Sequence, residues 1–242
     1  MTNGIKEIDG RIEVGKLVEF AEGADCLISH PDVSGVRSLT VKRLLDLSGA
    51  CFILMLFGPL MLLIAGLIWA RDGGPVLFGH ERIGYNGRRF RCLKYRTMVR
   101  NSEEVLQSLL RRDPVTREHW YTHFKLQDDP RIIPGIGKLL RLSSLDELPQ
   151  LFNVLRGEMS LVGPRPVTGE ELVKYGVHRN HYLSVKPGLT GPWQIGGRST
   201  TTYEGRVALD VWYVENAGNW TDIVILLRTA RYFLTGALSG AR

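Results

Sequence analysis

The sequence predicts a small α/β domain held at a membrane by one re-entrant apolar segment, a helix-break-helix hairpin, and by amphipathic interfacial helices. Three observations support this prediction. The stretch from Leu47 to Ala70 contains no charged residue, and Gly58-Pro59 interrupts it at its centre. Beyond it, short strand-like segments alternate with helical patterns. The 242 residues are enough for one substantial domain. We expect a polar extension over 1–38, the re-entrant helix over 39–72, and a cytoplasmic body with interfacial helices over 73–242.

Composition narrows the class of partner. The formal net charge of +6 implies an anionic partner, which could be nucleic acid, a phosphorylated substrate or an anionic membrane. Nucleic acid suits the charge but not the long uncharged segment. Three cysteines without a CxxC pair indicate neither a disulfide framework nor a structural zinc site. The first 38 residues lack the apolar core of a secretory signal, and we predict one short helix there, at "GKLVEFAE".

The apolar segment is long enough to span a bilayer, yet its details favour a hairpin. A straight helix of this length would measure roughly 36 Å, against a hydrocarbon core of about 30 Å. Pro59 cannot donate to the carbonyl of Met55 and its ring clashes there, so a kink is expected. Basic residues, which favour the cytoplasmic side, flank both ends. A hairpin that returns to its starting side satisfies both flanks, whereas a span satisfies one. These flanking residues are Lys42, Arg43, Arg71, Arg82, Arg88, Arg89, Arg91, Lys94 and Arg96.

The first part of the body reads as two strands and a helix. Residues 76–78 and 90–93 are strand-like, with "YNG" as the turn between them. Residues 101–126 predict one helix, capped by Asn101 or Ser102. Within it, "HWYTH" places His119 and His123 four residues apart but lacks the glutamate of HExxH. We therefore place these histidines on one face of an interfacial helix rather than on a metal.

The C-terminal stretch "NWTDIVILLRTARYFLTGAL" is amphipathic. Arg228 and Arg231 interrupt its apolar residues, which disfavours a second span and favours a helix lying in the membrane interface. A buried amphipathic helix of the globular core is the alternative, since periodicity does not separate the two.

An acidic pair lies in the stretch "SSLDELPQL". Ser144 with Glu147 three residues on fits a capping box, whereas Asp146 as the cap would keep Pro149 within the first turn. For an isolated pair, capping is the simpler explanation. The arginines around it change this interpretation, because carboxylates, helix N–H groups and rigid arginines together predict a phosphate site that also holds a divalent cation. These arginines are Arg131, Arg141 and Arg165, the last fixed between two prolines in "VGPRPV".

Several motifs together resemble one known family. In chain order they are "KRLLDLSGA", the segment broken by Pro59, "ERIGYNGRRF", "LKYRTM", "LRLSSLDELPQLFNVLRGEMSLVGPRP", "VKPGLTGPWQIGGRS" and "LDVWYVEN". Spread over residues 41–235, they resemble the bacterial sugar transferase family of monotopic phosphoglycosyl transferases. The pair "SLDELPQLFNVL" and "MSLVGPRP" is the most specific part of this resemblance.

The resemblance implies an enzyme at the cytoplasmic face of the bacterial inner membrane. Its members transfer a phosphosugar from a UDP-sugar to undecaprenyl phosphate through a covalent phosphosugar-aspartate. Carried over, Asp146 is the nucleophile and Glu147 the ligand of Mg²⁺, with Mn²⁺ as an alternative. Lys94, Arg141 and Arg165 match phosphate-binding positions, Arg131 joins them from the pattern above, and Pro59 breaks the re-entrant helix.

The same resemblance bears on branch and partners. "FGHERIG" and "CLKYRTM" favour the branch that transfers galactose phosphate and initiates exopolysaccharide synthesis, in the family's minimal form. The implied partners are the UDP-sugar, undecaprenyl phosphate and membrane lipid, without nucleic acid, and a homodimer stays open. Ile133, where a threonine is common, and Pro192 depart from the pattern and affect the expected shape of the nucleotide or sugar pocket. The alternative from another class is a non-catalytic membrane scaffold of a polysaccharide-assembly complex.

Overall fold

The computed structural model describes residues 35–123, 126, 128–196 and 202–236. The short helix expected at "GKLVEFAE" lies outside these residues. The first element, α1 (Gly35–Asp72), is one helix that continues through Pro59, so the expected break at this proline is not seen. It begins a few residues before residue 39 and ends at Asp72.

Helix α1 leaves most of its apolar surface uncovered. Met61, Ile64 and Ile68 are buried, and their spacing places them on one face of the helix. Large apolar side chains elsewhere on α1 are 42 to 76% exposed, namely Phe52, Met55, Leu56, Leu62, Leu63, Leu67 and Trp69. Among the described residues, Val41–Asp72 is the one helix long and apolar enough to cross a membrane. An apolar surface of this extent is more stable against lipid than against water, which supports membrane association of α1.

A β-hairpin follows α1, as the sequence predicted. Strands β1 (Leu77–Ile83) and β2 (Arg89–Tyr95) form a two-stranded sheet and are longer than expected. The turn between them is a single 3₁₀ turn, Tyr85–Gly87, in which Asn86 and Gly87 have φ of 54° and 76°. Asparagine and glycine tolerate the left-handed region best, which explains why "YNG" stands there.

The prediction of one helix over residues 101–126 is wrong. The structure has two, α2 (Ser102–Arg112) and α3 (Pro114–His123). Asp113 adopts an extended backbone, with φ −124° and ψ 101°, because the ring of Pro114 excludes the helical region for the residue before it. The Asp113 carboxylate then accepts hydrogen bonds from the N–H groups of Val115 and Thr116, which caps α3. The expected Asn101 cap also fails, because its side chain makes no capping hydrogen bond.

The rest of the chain consists of short helices and one small parallel sheet. The helices are α4 (Gly137–Ser143), α5 (Gln150–Arg156), α6 (Gly169–Val173), α7 (Arg179–Leu183), α8 (Pro192–Gly196), α9 (Tyr203–Glu215) and α10 (Asn219–Gly236). Strands β3 (Ser160–Val162) and β4 (Gly188–Thr190) pair in parallel, with Ser160 opposite Gly188. This mixed helix and sheet content agrees with the predicted α/β class at that level of description.

The described chain divides into two compact units. The first contains residues 35–51, 81–91 and 153–236, and the second contains residues 52–80 and 92–152. The core of the first unit is formed by Ile83, Val167, Leu172, Tyr175, Tyr182 and Val207. That of the second is formed by Met61, Ile64, Ile68, Tyr95, Ile133, Ile136 and Leu140.

Polar side chains anchor the beginning of α1 in the first unit. Lys42 forms a 2.6 Å ion pair with Asp222 of α10. Asp46 is buried and accepts hydrogen bonds from the Ser160 hydroxyl and the Leu161 N–H, both at 2.9 Å. Arg43 donates to the carbonyls of residues 154 and 155 at the end of α5. The basic flank expected from the sequence is therefore engaged by the folded chain.

The end of α1 is anchored in the second unit by β2 and by the chain that follows it. The Tyr95 hydroxyl donates to the carbonyl of Met61 at 2.8 Å. Arg96 forms an ion pair with Asp72 and donates to the carbonyls of residues 73 and 75. Arg71 donates to the carbonyl of residue 134. Both ends of the apolar helix are thus tied to polar parts of the chain that follow it.

Helix α10 is amphipathic, as predicted. Ile225 and Asp222 on its inner face are 4 and 5% exposed. On another face, Trp220, Ile223 and Leu227, at spacings of three and four residues, are 68, 38 and 66% exposed. A helix buried in the core would not present this second apolar face, so the pattern favours a membrane interface, and contact with lipid stays a prediction.

Candidate active site

The acidic pair lies in a 3₁₀ turn between α4 and α5. Ser144 ends α4 in the left-handed conformation, with φ 58° and ψ 17°, and the turn Leu145–Glu147 follows directly. A capping residue needs extended dihedrals, so Ser144 cannot serve as one, and its side chain makes no capping hydrogen bond. Helix α5 begins only after Pro149. Both capping predictions are therefore wrong, and the carboxylates are not explained as helix caps.

Lys94 is placed beside this turn by strand β2. Its ammonium group lies 2.6 Å from Oε1 of Glu147, and the two side chains are 27 and 29% exposed. A short pair with restricted solvent access interacts more strongly than a surface pair. The hairpin and the acidic turn, 53 residues apart in the chain, thus meet at this contact.

Asp146 is half-buried and electrostatically perturbed. Burial raises the pKa of its carboxyl to about 6, and the negative charge of Glu147 adds to the increase. Lys94, the residue's own backbone N–H and Arg141 act in the opposite direction. At pH 7 roughly nine-tenths of the carboxyl groups are ionised at this pKa. A poorly solvated carboxylate between two cations is suited to nucleophilic attack on an anionic substrate.

Arg141 is held in place by Thr97. Its Nε donates to the Thr97 hydroxyl at 2.8 Å, and Thr97 is buried. Its charge lowers the pKa of Asp146 and also that of Asp129. Arg141 is therefore within electrostatic reach of the acidic turn, where the resemblance placed it.

Arg131 has partners other than this turn among the described residues, and Arg165 is in the other unit. The Arg131 guanidinium is buried, donates to both carboxylate oxygens of Asp129 at 2.8 and 2.7 Å, and lies 4.8 Å from the Trp120 ring. Arg165 belongs to the first unit, 5.3 Å from the ring of Trp193. Their roles with substrate stay predictions.

The carboxylate pair fits a hard divalent cation. No three His, Cys, Asp or Glu side chains cluster anywhere in the described chain. Mg²⁺ does not require such a cluster, because one or two carboxylates suffice when substrate phosphates and water supply the other ligands. Asp146 and Glu147 offer oxygen donors of this kind, with Lys94 as a competing cation at Glu147. Donors of this chemistry suit Mg²⁺ or Mn²⁺ better than zinc.

Sequence reasoning missed the residues that support the site. Thr97 orients Arg141, and Tyr95 joins the strand that carries Lys94 to α1. Thr97, Tyr95 and Lys94 all come from the motif "LKYRTM", in which Lys94 alone was identified as a candidate site residue. Several polar side chains in one short stretch of sequence indicated that this motif supports a site. Their partners are distant in the chain, so the sequence did not identify them.

The sequence is similar to known proteins over most of its length. Residues 37–236 match the family described as bacterial sugar transferase. The chain is 52% identical over 189 residues to the "UDP-galactose-lipid carrier transferase" of Erwinia amylovora, which covers 78% of this chain and 39% of that relative. It is 49% identical over 194 residues to the "Undecaprenyl-phosphate galactose phosphotransferase" of Salmonella typhimurium, covering 80% of this chain and 40% of that relative.

A shorter relative is matched over most of its length. The "Exopolysaccharide production protein ExoY" of Rhizobium meliloti is 50% identical over 188 residues, which cover 78% of this chain and 83% of that protein. The chain thus spans about two fifths of the length of the first two relatives and most of the third.

Proposed function

The chain belongs to the bacterial sugar transferase family, and from this premise we propose that it transfers galactose-1-phosphate from UDP-galactose to undecaprenyl phosphate. The names of the relatives in Erwinia and Salmonella support the sugar and the lipid acceptor, and the ExoY relative supports a role in starting exopolysaccharide synthesis. The observation that carries the proposal is the half-buried Asp146 beside the Lys94–Glu147 ion pair. A membrane scaffold has no use for a carboxylate kept poorly solvated at an energetic cost.

The reaction proceeds in two displacements at one phosphorus atom. In the first, a carboxylate oxygen of Asp146 attacks the β-phosphorus of the UDP-sugar. The bond from that phosphorus to the bridging oxygen breaks, and UMP leaves with the bonding electrons. In the second, a phosphate oxygen of undecaprenyl phosphate attacks the sugar-bearing phosphorus. The bond to Asp146 breaks, which regenerates the carboxylate and releases the lipid-linked diphosphate sugar.

The neighbouring side chains make the approach of two anions feasible. Lys94 and Arg141 make the electrostatic potential at Asp146 more positive, which is why both lower the pKa of its carboxyl. The same charges attract the phosphates of both substrates. Glu147, with Asp146 beside it, would hold Mg²⁺, which when bound offsets the negative charge of the diphosphate. Thr97 keeps the Arg141 guanidinium in place through the turnover.

The topology follows from the two anchors of α1. Near the beginning of α1, Lys42 and Asp46 form an ion pair and hydrogen bonds with residues between 160 and 222. The second half of α1 forms hydrogen bonds with residues between 95 and 134. No other described helix could cross a membrane. Both sets of contacts support a topology in which the two ends of α1 lie on the same side of the membrane. We infer that the uncharged middle enters the bilayer and returns, bending at Pro59, from the cytoplasmic face of the bacterial inner membrane.

A transfer assay tests the function. The full chain is reconstituted in vesicles with undecaprenyl phosphate and given radiolabelled UDP-sugars one at a time. We expect label in the lipid fraction with UDP-galactose in the wild type and not with the Asp146→Asn variant. Absence of transfer from every UDP-sugar in properly folded wild type would instead support the scaffold.

A further inference from the structure

Two arginines of the first unit lie against one indole ring. The guanidinium carbon of Arg165 is 5.3 Å from the centre of the Trp193 ring, and that of Arg206 is 4.9 Å from it. Arg206 also lies 5.4 Å from the Tyr203 ring. Stacking on aromatic faces holds a guanidinium in place but uses none of its N–H donors in hydrogen bonds. The ring thus fixes two positive charges near each other.

Buried donors at this ring lack acceptors. Arg206 is 7% exposed, yet its Nε and Nη2 make no hydrogen bond. The Nε1 of Trp193 is also buried without an acceptor. Unpaired buried N–H groups are costly, and more so on a charged side chain. Three such donors in two touching side chains indicate a place where a ligand supplies the acceptors.

The nearby carboxylates do not meet this need. Glu171 accepts from Arg82 at 2.8 Å and from the backbone of Thr168, and lies 3.9 Å from Arg206, beyond hydrogen-bonding distance. Asp210, one turn further along α9, accepts from the Tyr175 hydroxyl at 2.6 Å and forms no ion pair with Arg206 among the described residues. Burial raises the pKa of Asp210 to about 6, and the charges of Arg206 and Arg165 act in the opposite direction.

We propose that Arg206, Trp193 and Arg165 form a binding site for a phosphate group. A guanidinium donates from several N–H groups in one plane, which matches the oxygens of a phosphate, and an indole N–H adds a further donor. Arg165 was expected to bind phosphate from the family resemblance, whereas Arg206 and Trp193 were not. The phosphate source is a nucleotide or a polyprenyl phosphate, and this choice of sources rests on the proposed function.

Thermal unfolding of the full chain in detergent measures binding, since a ligand that binds only the folded state raises the Tm. The probes are UMP, UDP, inorganic phosphate and undecaprenyl phosphate, each titrated separately. Arg206→Met removes two unpartnered donors and one charge. Lys174→Met is the matched control, because it removes one charge from an exposed side chain beside the same cluster, 5.4 Å from the Tyr203 ring. Trp193→Phe removes the indole donor and keeps an aromatic ring, although a smaller one, under the two guanidinium groups.

We expect at least one probe to raise the Tm of the wild type. Arg206→Met should weaken its binding roughly 10- to 100-fold, and Trp193→Phe a few-fold, from the strengths of charged and neutral hydrogen bonds. Lys174→Met should change it less than about twofold. The probe whose binding is weakened by Arg206→Met identifies the molecule that supplies the phosphate group. If no probe binds, or if Arg206→Met and Lys174→Met weaken binding equally, the site does not exist as proposed.

The result does not depend on turnover. Asp146→Asn should leave the phosphate response intact while abolishing transfer, so a failed transfer assay and a failed binding site are separate outcomes. If Arg206→Met does not fold, Trp193→Phe still decides the proposal. In that case unchanged affinity for every probe would overturn it.

Discussion

Replacing Asp146 by asparagine should make the protein more stable as well as inactive. The substitution keeps the shape and removes the charge. Burial raises the pKa of this carboxyl from an ordinary 3.8 to about 6 in the folded protein. At about 1.36 kcal/mol for each pKa unit, the ionised form destabilises the fold at pH 7 by up to about 3 kcal/mol. The neutral amide avoids most of this penalty.

The direction in which stability changes with pH follows from the raised pKa of Asp146. A carboxyl with a raised pKa binds its proton more tightly in the folded state than in the unfolded one. The wild type should therefore lose stability as pH rises from about 4 to about 6, and the loss should be complete above that range. Asp146→Asn should exceed the wild type in Tm by several degrees at pH 7, and the difference should vanish near pH 4.

The assay is thermal unfolding of both proteins in one detergent between pH 4 and 8. Glu147→Gln is the matched control, because it also neutralises a carboxylate of the same turn but breaks the 2.6 Å pair with Lys94. It should not gain stability. If Asp146→Asn is less stable than the wild type at pH 7, the Asp146 charge supports the fold and the argument from burial is refuted. With wild type and UDP-galactose alone, mass spectrometry should find the phosphosugar on the Asp146 peptide.

Four further outcomes follow from the site and the helix. Transfer should rise about tenfold per pH unit below pH 6 and level off above it, because the ionised Asp146 is the reactive form, and a profile flat from pH 5 to 7 would contradict this. EDTA should stop turnover and Mg²⁺ restore it, whereas full activity in excess chelator would remove Glu147 as a metal ligand. Thr97→Val should raise KM several-fold by releasing Arg141, with Thr97→Ser near wild type; equal effects would assign Thr97 a packing role. Cysteines at the two ends of α1 should be labelled from the same side in the wild type, and from opposite sides after Pro59→Leu if the proline alone sets the bend.

The parts of the fold that could be predicted are those governed by local chemistry. "YNG" between two β-forming stretches specified the turn, because Asn86 and Gly87 adopt positive φ readily. The same logic was available at Asp113-Pro114, where a proline ends one helix and begins the next, and the periodicity of the flanking residues obscured it. The capping predictions failed because Ser144 adopts a left-handed conformation that ends α4, which the residue types of the motif do not specify.

The candidate site was predictable in its residue types but not in its contacts. The motif "SLDELPQ" and the cations around it pointed to phosphate chemistry. The pairing of Lys94 with Glu147 and of Arg141 with Thr97 joins residues 53 and 44 apart, which no local pattern specifies. Arg131 illustrates the opposite case. Its partner Asp129 is two residues away, and "DDPR" could have indicated that this guanidinium is already engaged.

The structure shows which Lys and Arg side chains form ion pairs with carboxylates, which the sequence did not show. Some are paired with a carboxylate of the fold, namely Lys42, Arg82, Arg89, Lys94, Arg96 and Arg131. In the described chain, Arg141 and Arg165 form no ion pair, and Arg206 has only a carboxylate at 3.9 Å. A buried charge that is already paired, such as that of Arg131, gains little from a phosphate, because binding would first have to break the existing pair. Arg141 acts on the pKa of Asp146, so we expect this arginine to bring to the acidic turn the positive charge that an anionic substrate requires.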